Sequence, residues 1–236
     1  MHTPKGEMEV DADMSVKVST QVLTYKTKQK IFGGTYGGSI FVPLMDLDTN
    51  LSSHGKSIKN LKSKGVADIT IEPFLLTWQG RYTRTKLALD VFLPTGDVED
   101  KLGNDRYTYA ISAARSFYWG EWNAWQAGIS LVYEHHTKKK SQDLHEGDDM
   151  GFEFGLNKRF LTNGVVIKVG VNGYGTMQIT DDKGTSPEAA KTKSHVFGAG
   201  PEILVAFPKY HAYTRLTWFE EFDAKDSFEG SKIMWS

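Results

Sequence analysis

Residues 68–78 read DITIEPFLLTW, and the way this stretch faces decides the fold. Asp68, Thr70, Glu72, Phe74 and Leu76 hold one set of alternate positions, and Ile69, Ile71, Pro73 and Leu75 hold the other. A period of two marks a strand with two unlike faces. In a water-soluble sheet the wholly apolar face turns to a core and the acids to solvent. In a membrane barrel the sense is inverted: Ile69, Ile71, Pro73 and Leu75 meet lipid, while Asp68, Thr70 and Glu72 meet the lumen. Pro73 brings no N–H to the ladder, so a bulge or a weakened pairing is expected there.

Other stretches repeat the pattern. Leu87, Leu89, Val91 and Leu93 oppose Lys86, Ala88, Asp90 and Phe92. Trp125, Ala127, Ile129, Leu131 and Tyr133 oppose Gln126, Gly128, Ser130 and Glu134. Val165, Ile167, Val169 and Val171 oppose Val166, Lys168, Gly170, Asn172 and Tyr174. The second face of each is rich in small, charged and amide residues, which suits a crowded lumen better than a packed core. In 106–118, Arg115 is in phase with Ile111 and Tyr109, and the faces of that segment stay open.

Eleven strand segments are expected, at 14–26, 30–43, 67–78, 84–93, 106–118, 123–136, 149–160, 165–178, 194–207, 210–221 and 231–236. The links between them alternate in length. Those near 27–29, 79–83, 119–122, 161–164 and 208–209 are short, whereas 44–66, 94–105, 137–148, 179–193 and 222–230 are long and polar. All tight turns therefore lie at one end of the sheet, the arrangement of an up-and-down barrel with periplasmic turns and extracellular loops. Asn163-Gly164 is a hairpin signal in one of the short links.

Composition agrees and excludes other classes. The net charge is −1 among 236 residues, so no global basic field points to nucleic acid. Cysteine is absent, which rules out disulfides and thiolate metal sites. Mean hydropathy is −0.41, and no apolar run reaches the ~20 residues of a transmembrane helix. Barrel strands alternate, so a modest hydropathy does not argue against a membrane. The residues 1–14 carry no apolar signal core. Strand parity nevertheless calls for an upward strand before 14–26, and SKIMWS (231–236) is too short to span. The expectation is a fragment cut at both ends, with two unpaired edges, in which a missing signal peptide carries no information.

Aromatic side chains gather at the short links: Trp78, Tyr82, Trp119, Trp122, Trp125, Phe160, Phe207 and Tyr210. A girdle of this kind is expected where a barrel crosses a bilayer interface. The inward charges expected to line the lumen are Asp68, Glu72, Lys86, Asp90, Glu134, Glu153, Lys168, Glu202, Arg215 and Glu221. Facing lipid, Lys or Arg at the midplane would cost roughly 2–4 kcal/mol. Their mixed signs favour pairing that stiffens a narrow barrel over a single-sign ring that selects ions.

Three motifs invite sharper readings. GGTYGG (33–38) lacks the Lys-Ser/Thr and the helix of a phosphate loop, so its glycines point to bulges or close backbone approach. Glu134, His135, His136, Asp143, His145, Glu146 and Asp148 cluster about one long loop, but their spacing matches no closed metal site and Lys138–Lys140 add repulsion. Asp181 and Asp182 read as a polar turn ahead of calcium ligands. No Ser/His arrangement such as G-x-S-x-G surrounds His54, His135, His136, His145, His195 or His211, so no enzyme is expected.

The stretches VADITIEPFLLTW (66–78), LALDVFLPTGD (87–97), the Gly147–Asp149 strand start, NGYGTMQITDDKG (172–184) and FEEFDAKDSFEG (219–230) resemble the outer-membrane proteins of the MetA-pathway phenol-degradation, or "transporter", family of Gram-negative bacteria. They occur in order and span most of the chain. The resemblance implies a monomeric twelve-stranded barrel that takes up small, often hydrophobic or aromatic molecules. The sequence departs from that family in its opening strand, its closing residues and the Lys/Ser-rich 44–66 link.

The expected fold is therefore all-β, an up-and-down antiparallel transmembrane β-barrel of about twelve strands when complete, forming one domain over 1–236. The expected function is a porin-like channel for passive uptake across the outer membrane, with lipid, lipopolysaccharide and a small solute as partners. No cofactor, metal or nucleic acid is implied. The alternatives are a soluble lipocalin-like barrel that binds a small hydrophobic ligand, a barrel enzyme acting on lipids, and a structural barrel without transport.

Overall fold

A computed structural model describes residues 11–53, 56–186, 189, 192–210, 212–227 and 229–235. The expected His54 and His211 lie outside the described residues. The strands are β1 (Asp11–Ile31), β2 (Gly34–Ser53), β3 (Lys56–Val66), β4 (Thr70–Gln79), β5 (Thr83–Phe92), β6 (Thr108–Trp119) and β7 (Trp125–His136). They continue with β8 (Leu144–His145), β9 (Asp149–Thr162), β10 (Val165–Gln178), β11 (Lys183–Gly184), β12 (His195–Phe207), β13 (Ala212–Lys225) and β14 (Ser231–Trp235). Helix is confined to two short 3₁₀ turns among the described residues, and none of it is long and apolar enough to cross a membrane, which says nothing of a strand barrel.

One antiparallel sheet runs in the order β1-β2-β4-β5-β6-β7-β9-β10-β12-β13-β14, so each of the eleven expected segments has its strand and pairs with its neighbours in sequence. This is the up-and-down arrangement. β1 and β14 are the edges, and no pairing joins them among the described residues. The short connections share one end. Phe32-Gly33 (φ 49° and 77°) and Asn163-Gly164 (φ 47° and 76°) each take two consecutive left-handed residues, the type I′ geometry that matches strand twist.

Two expected connections differ. The first turn is at Phe32-Gly33, beyond the expected 27–29. That polar stretch stays in β1 as an irregularity between Lys26 and Lys30, where the Thr27 hydroxyl donates to the Tyr36 carbonyl at 3.0 Å and the Gln29 N–H donates to Thr27 Oγ1 at 3.2 Å. The 44–66 link is no loose loop. β2 continues to Ser53, β3 returns along it, and β1 pairs along its other edge, giving a three-stranded blade at the long-loop end. Alternating polar and apolar residues on 44–51 (LMDLDTNL) give it strand periodicity, and Lys62–Asp48 at 2.6 Å closes one of its cross-strand pairs.

The bulge expected at Pro73 is present and has a consequence for facing. Ser39 pairs with Glu72 and Gly37 with Leu75, so β4 spends one more residue than β2 across this point. The same irregularity separates Ile71 from Phe74 along β5. One extra residue inverts the alternation. Beyond it, Leu75 pairs with Ala88, which shares its face with Lys86 and Asp90, while Phe74, Leu76 and Trp78 pair with Leu89, Leu87 and Thr85 on the opposite face. Leu75 was expected on the lipid face and Phe74 and Leu76 with the acids; the bulge exchanges them. The carbonyl of Pro73 accepts a hydrogen bond from Tyr36 Oη at 2.8 Å.

No helical layer covers either face, yet the two differ sharply in burial. Glu72 is 2% exposed, and Ser39, Thr108, Asn157, Glu202 and Thr217 are also buried. On the other face Ile129 and Leu131 are each 51% exposed, with Tyr109, Ile111, Leu156, Val171 and Trp218 exposed beside them. Polar side chains disappear from solvent only where the sheet curls over itself, so they mark its concave face. Arg115 settles its own strand: it pairs with Thr85 and Ile129, so it lies on the convex face, its guanidinium 5.2 Å from the centre of the Phe117 ring.

Gly38 is the β2 residue opposite the bulge. A Cβ there would lie 2.8 Å from the Glu72 carbonyl oxygen, which is backbone and cannot step aside. Gly38→Ala is expected to destabilise the fold by about 1–3 kcal/mol, read by urea unfolding in detergent micelles with tryptophan fluorescence. An unchanged midpoint would contradict this account of the bulge.

Candidate functional site

The concave face carries two polar networks. In the first, Thr24 Oγ1 and Ser39 Oγ lie 2.9 Å apart, the Ser39 hydroxyl donates to Glu72 Oε1 at 2.8 Å, and Lys86 Nζ sits 2.8 Å from Glu72 Oε2. This chain crosses β1, β2, β4 and β5. In the second, Lys168 Nζ is 2.8 Å from Glu202 Oε1, while Asn172 Nδ2 and Thr217 Oγ1 donate to Glu202 Oε2 at 2.6 and 3.3 Å. Asn157 Nδ2 extends it to Asn172 Oδ1 at 3.3 Å, so it crosses β9, β10, β12 and β13. In each network a cation and hydrogen-bond donors compensate the desolvation of the buried carboxylate.

The ten charges singled out from the sequence divide by role. Glu72, Lys86, Lys168 and Glu202 belong to these networks. Glu221 accepts a hydrogen bond from Tyr174 Oη, whose ring packs edge-on against Phe219 at 5.1 Å. Arg215 is in phase with Thr217, Phe219 and Glu221 on the concave face. Asp68 precedes β4 and receives backbone N–H groups from Thr95, Gly96 and Asn104 at 3.1, 2.9 and 2.8 Å, which folds the 94–105 loop back over the sheet. Asp90, Glu134 and Glu153 make no hydrogen bond or ion pair among the described residues, and all three lie on the concave face.

Two cavities open along this face. One, of about 480 Å³, lies toward the long loops and is bordered by Asp68, Glu72, Asp90, Phe41, Phe92 and the 101–104 loop. The other, of about 610 Å³, lies toward the short turns and is bordered by Lys26, Lys30, Thr77 and Arg84. Lys86 borders both. The first is thus acidic and partly aromatic, the second basic, and the Glu72–Lys86 pair stands at their junction.

The eight aromatic residues all sit at the short-turn end. Trp119 and Trp125 stack at 6.3 Å, and Lys158 Nζ lies 5.1 and 5.2 Å from the Trp125 and Phe160 ring centres. Trp78 Nε1 donates to the Phe32 carbonyl at 3.0 Å. Arg81 lies over Tyr82, and Lys209 over Tyr210. Trp122, Phe207 and Tyr210 are exposed in the turns or beside them. Phe32 and Tyr213 belong to the same rim and were missed. The sequence pattern does not single out Phe32, because it sets the first turn near 27–29 and the structure makes it at Phe32-Gly33.

At the loop end, most of the His/acid cluster serves to clasp the loops together. Asp143 Oδ2 accepts from the Thr185 hydroxyl at 2.7 Å, and Lys138 is 2.6 Å from Asp143 Oδ1; these contacts, Lys138 first, hold the Asp143 carboxyl down at about 2. Asp105 is held below its ordinary value by the Ser141 hydroxyl and N–H. Glu146 pairs with Arg106 and Lys139. Asp182 accepts the Gly147 N–H at 2.8 Å and a Gln178 Nε2 hydrogen at 2.6 Å, so it acts as a loop clasp. β8 and β11 pair the two loops directly. His136 stands apart: its ring is buried, with Nδ1 2.8 Å from Thr108 Oγ1 and Nε2 3.0 Å from Asp149 Oδ2. Asp149, part of the Gly147–Asp149 strand start, falls outside the expected His/acid cluster because only the β7–β9 register brings it opposite Glu134.

A family model described as "Putative MetA-pathway of phenol degradation" matches residues 3–236. No curated protein and no solved structure matches the chain.

The second network allows a sharp test. Lys168→Met leaves Glu202 buried without its cation and is expected to cost about 3–5 kcal/mol. The double variant Lys168→Met/Glu202→Gln should recover most of that loss. Unfolding midpoints in urea measure both. A double variant as unstable as the single one would show that the pair does not act as a unit.

Proposed function

The chain belongs to the putative MetA-pathway of phenol degradation family, and from that premise we propose that it is an outer-membrane channel of a Gram-negative bacterium, passing small hydrophobic or aromatic molecules by diffusion. The observation that carries this reading is the inverted distribution of side chains: apolar residues exposed on the convex face, buried charges and amides on the concave one. In water each exposed apolar Å² costs about 25 cal/mol; against lipid it costs nothing. The rim of Trp, Tyr and Phe interleaved with Lys and Arg fits the interface between acyl chains and phosphates.

Passage would run through the two cavities, with the folded-back 94–105 loop at the entrance and the Glu72–Lys86 pair at the narrowing between them. Phe41 and Phe92 offer aromatic surface, while the hydroxyls and carboxylates beside them accept or donate hydrogen bonds to a hydroxylated ring. Opposite charges in series disfavour strong selection of either ion sign and suit a neutral solute. Diffusion requires no cofactor and no chemical step. The protein works as a monomer, in contact with phospholipid at the turn end and lipopolysaccharide at the loop end, and has no role with nucleic acid.

The test uses outer membranes from a Gram-negative host expressing the protein. A gel-mobility shift on boiling is expected in that fraction. Proteoliposomes should then swell in hydroxylated aromatic solutes that do not cross bare lipid, and the double variant Lys86→Ala/Glu72→Gln, which removes the pair without stranding a buried charge, should speed the swelling by widening the narrowing. A protein soluble without detergent, with no mobility shift, would overturn the reading in favour of a lipocalin-like binder. A shift without swelling would leave a barrel that does not conduct.

A further inference from the structure

Glu134, His136 and Asp149 converge at the loop end of the concave face, with one potential ligand atom from each inside 4.8 Å of the others. Their convergence follows from the sheet. Glu134 and His136 are two apart on β7 and so share a face. Asp149, the first residue of β9, is the register partner of Glu134. Two carboxylates are thereby set side by side with a buried imidazole next to them. Their like charges oppose one another; the field of Arg106 reaches both Asp149 and Glu134, but its ion pair is with Glu146.

The imidazole is held as a ligand would be. Its ring is 2% exposed, and Thr108, the register partner of His136 on β6, fixes Nδ1 at 2.8 Å. That leaves Nε2 directed at Asp149. A histidine that binds a metal through one nitrogen is commonly oriented by a hydrogen bond at the other. The order hydroxyl, imidazole, carboxylate also calls to mind a hydrolytic triad. There, however, the hydroxyl meets Nε2 and the acid meets Nδ1, the reverse of this attachment.

We propose that Glu134, His136 and Asp149 bind a divalent transition metal, with Zn²⁺ the best match to one imidazole nitrogen and two carboxylate oxygens. On binding, the proton that Nε2 shares with Asp149 is released to solvent, the Nε2 lone pair goes to the metal, the Nδ1 proton donates to Thr108 Oγ1, and the metal's charge balances the two carboxylates. Three protein ligands leave a coordination position for water or for an oxygen of a passing solute. The ion joins β7 to β9 beneath the paired loops at the mouth. This site does not depend on the channel reading.

The test takes the full chain, folded in detergent micelles and stripped with a chelator. Co²⁺ is titrated by its visible absorption and Zn²⁺ by calorimetry. One equivalent of either is expected to bind. His136→Asn and the near-isosteric Glu134→Gln should each weaken Zn²⁺ by at least the ~10–100-fold that loss of an outer-shell partner costs, and Thr108→Val by about that much. The double variant His135→Asn/His145→Asn, which alters the neighbouring histidines of β7 and β8, should bind as the parent does. A far-ultraviolet circular dichroism spectrum that matches the parent's confirms that each variant is folded. No binding, binding indifferent to Glu134→Gln and Thr108→Val, or binding lost in the His135/His145 variant would each overturn the proposal.

Discussion

Every strand of this protein sends its side chains alternately to two faces, and no helical layer covers either one among the described residues; the 94–105 loop folds back over the concave side. That constraint governs the rest. With no helical layer, the polar side chains of the sheet that escape solvent lie on the concave face, among them Glu72, Asn157, Glu202 and Thr217. A few apolar residues, such as Leu75, Ala88, Ala110 and Phe219, are buried with them, whereas many large ones, such as Ile129, Leu131 and Trp218, stay exposed on the outside. Glu72 and Glu202, buried on that face, must then find a cation or donors within the same curved surface. Lys86 and Ser39 supply them to Glu72, and Lys168, Asn172 and Thr217 supply them to Glu202. The two networks tie four strands each, so the polar interior acts as the protein's core.

The bulge at Pro73 shows how closely the constraint is obeyed. DITIE keeps its acids inward. Without an extra residue, Phe74 and Leu76 would follow them and Trp78 would leave the rim. The bulge reverses the phase at the residue that cannot donate to the ladder, and FLLTW resumes with Phe74, Leu76 and Trp78 outward. Gly38 accepts the close approach of the displaced backbone, and Gly33 makes the turn below it. GGTYGG thus owes its glycines to turn and bulge geometry.

Much of this was legible in the sequence, because alternation and turn spacing are local properties. The eleven strands, the end at which they turn and the position of the bulge follow from runs of two to fourteen residues. What escaped depends on register or on contacts between distant segments. A proline announces a bulge but not the direction in which the phase moves, so Leu75 was placed on the wrong face. The 44–66 link reads as a polar loop until β1 and β2 are long enough to support it as a blade. Arg115 stays ambiguous until its pairing with Thr85 and Ile129 is known. The Glu134–His136–Asp149 cluster needs the register of two strands, and one of its members lies just outside the stretch that drew attention.

The central claim is that the convex face meets lipid and the concave face meets water. Because the chain contains no cysteine, a single introduced thiol can be labelled without ambiguity. Leu131 and Ser130 are adjacent on β7 and point to opposite faces. The deciding measurement is fluorescence quenching of a label at Leu131→Cys or Ser130→Cys in proteoliposomes. A nitroxide on the lipid chains should quench the label at 131 and aqueous iodide the label at 130. Iodide quenching at 131 with lipid quenching at 130, or no lipid quenching at either, would contradict the inverted arrangement on which the rest is built.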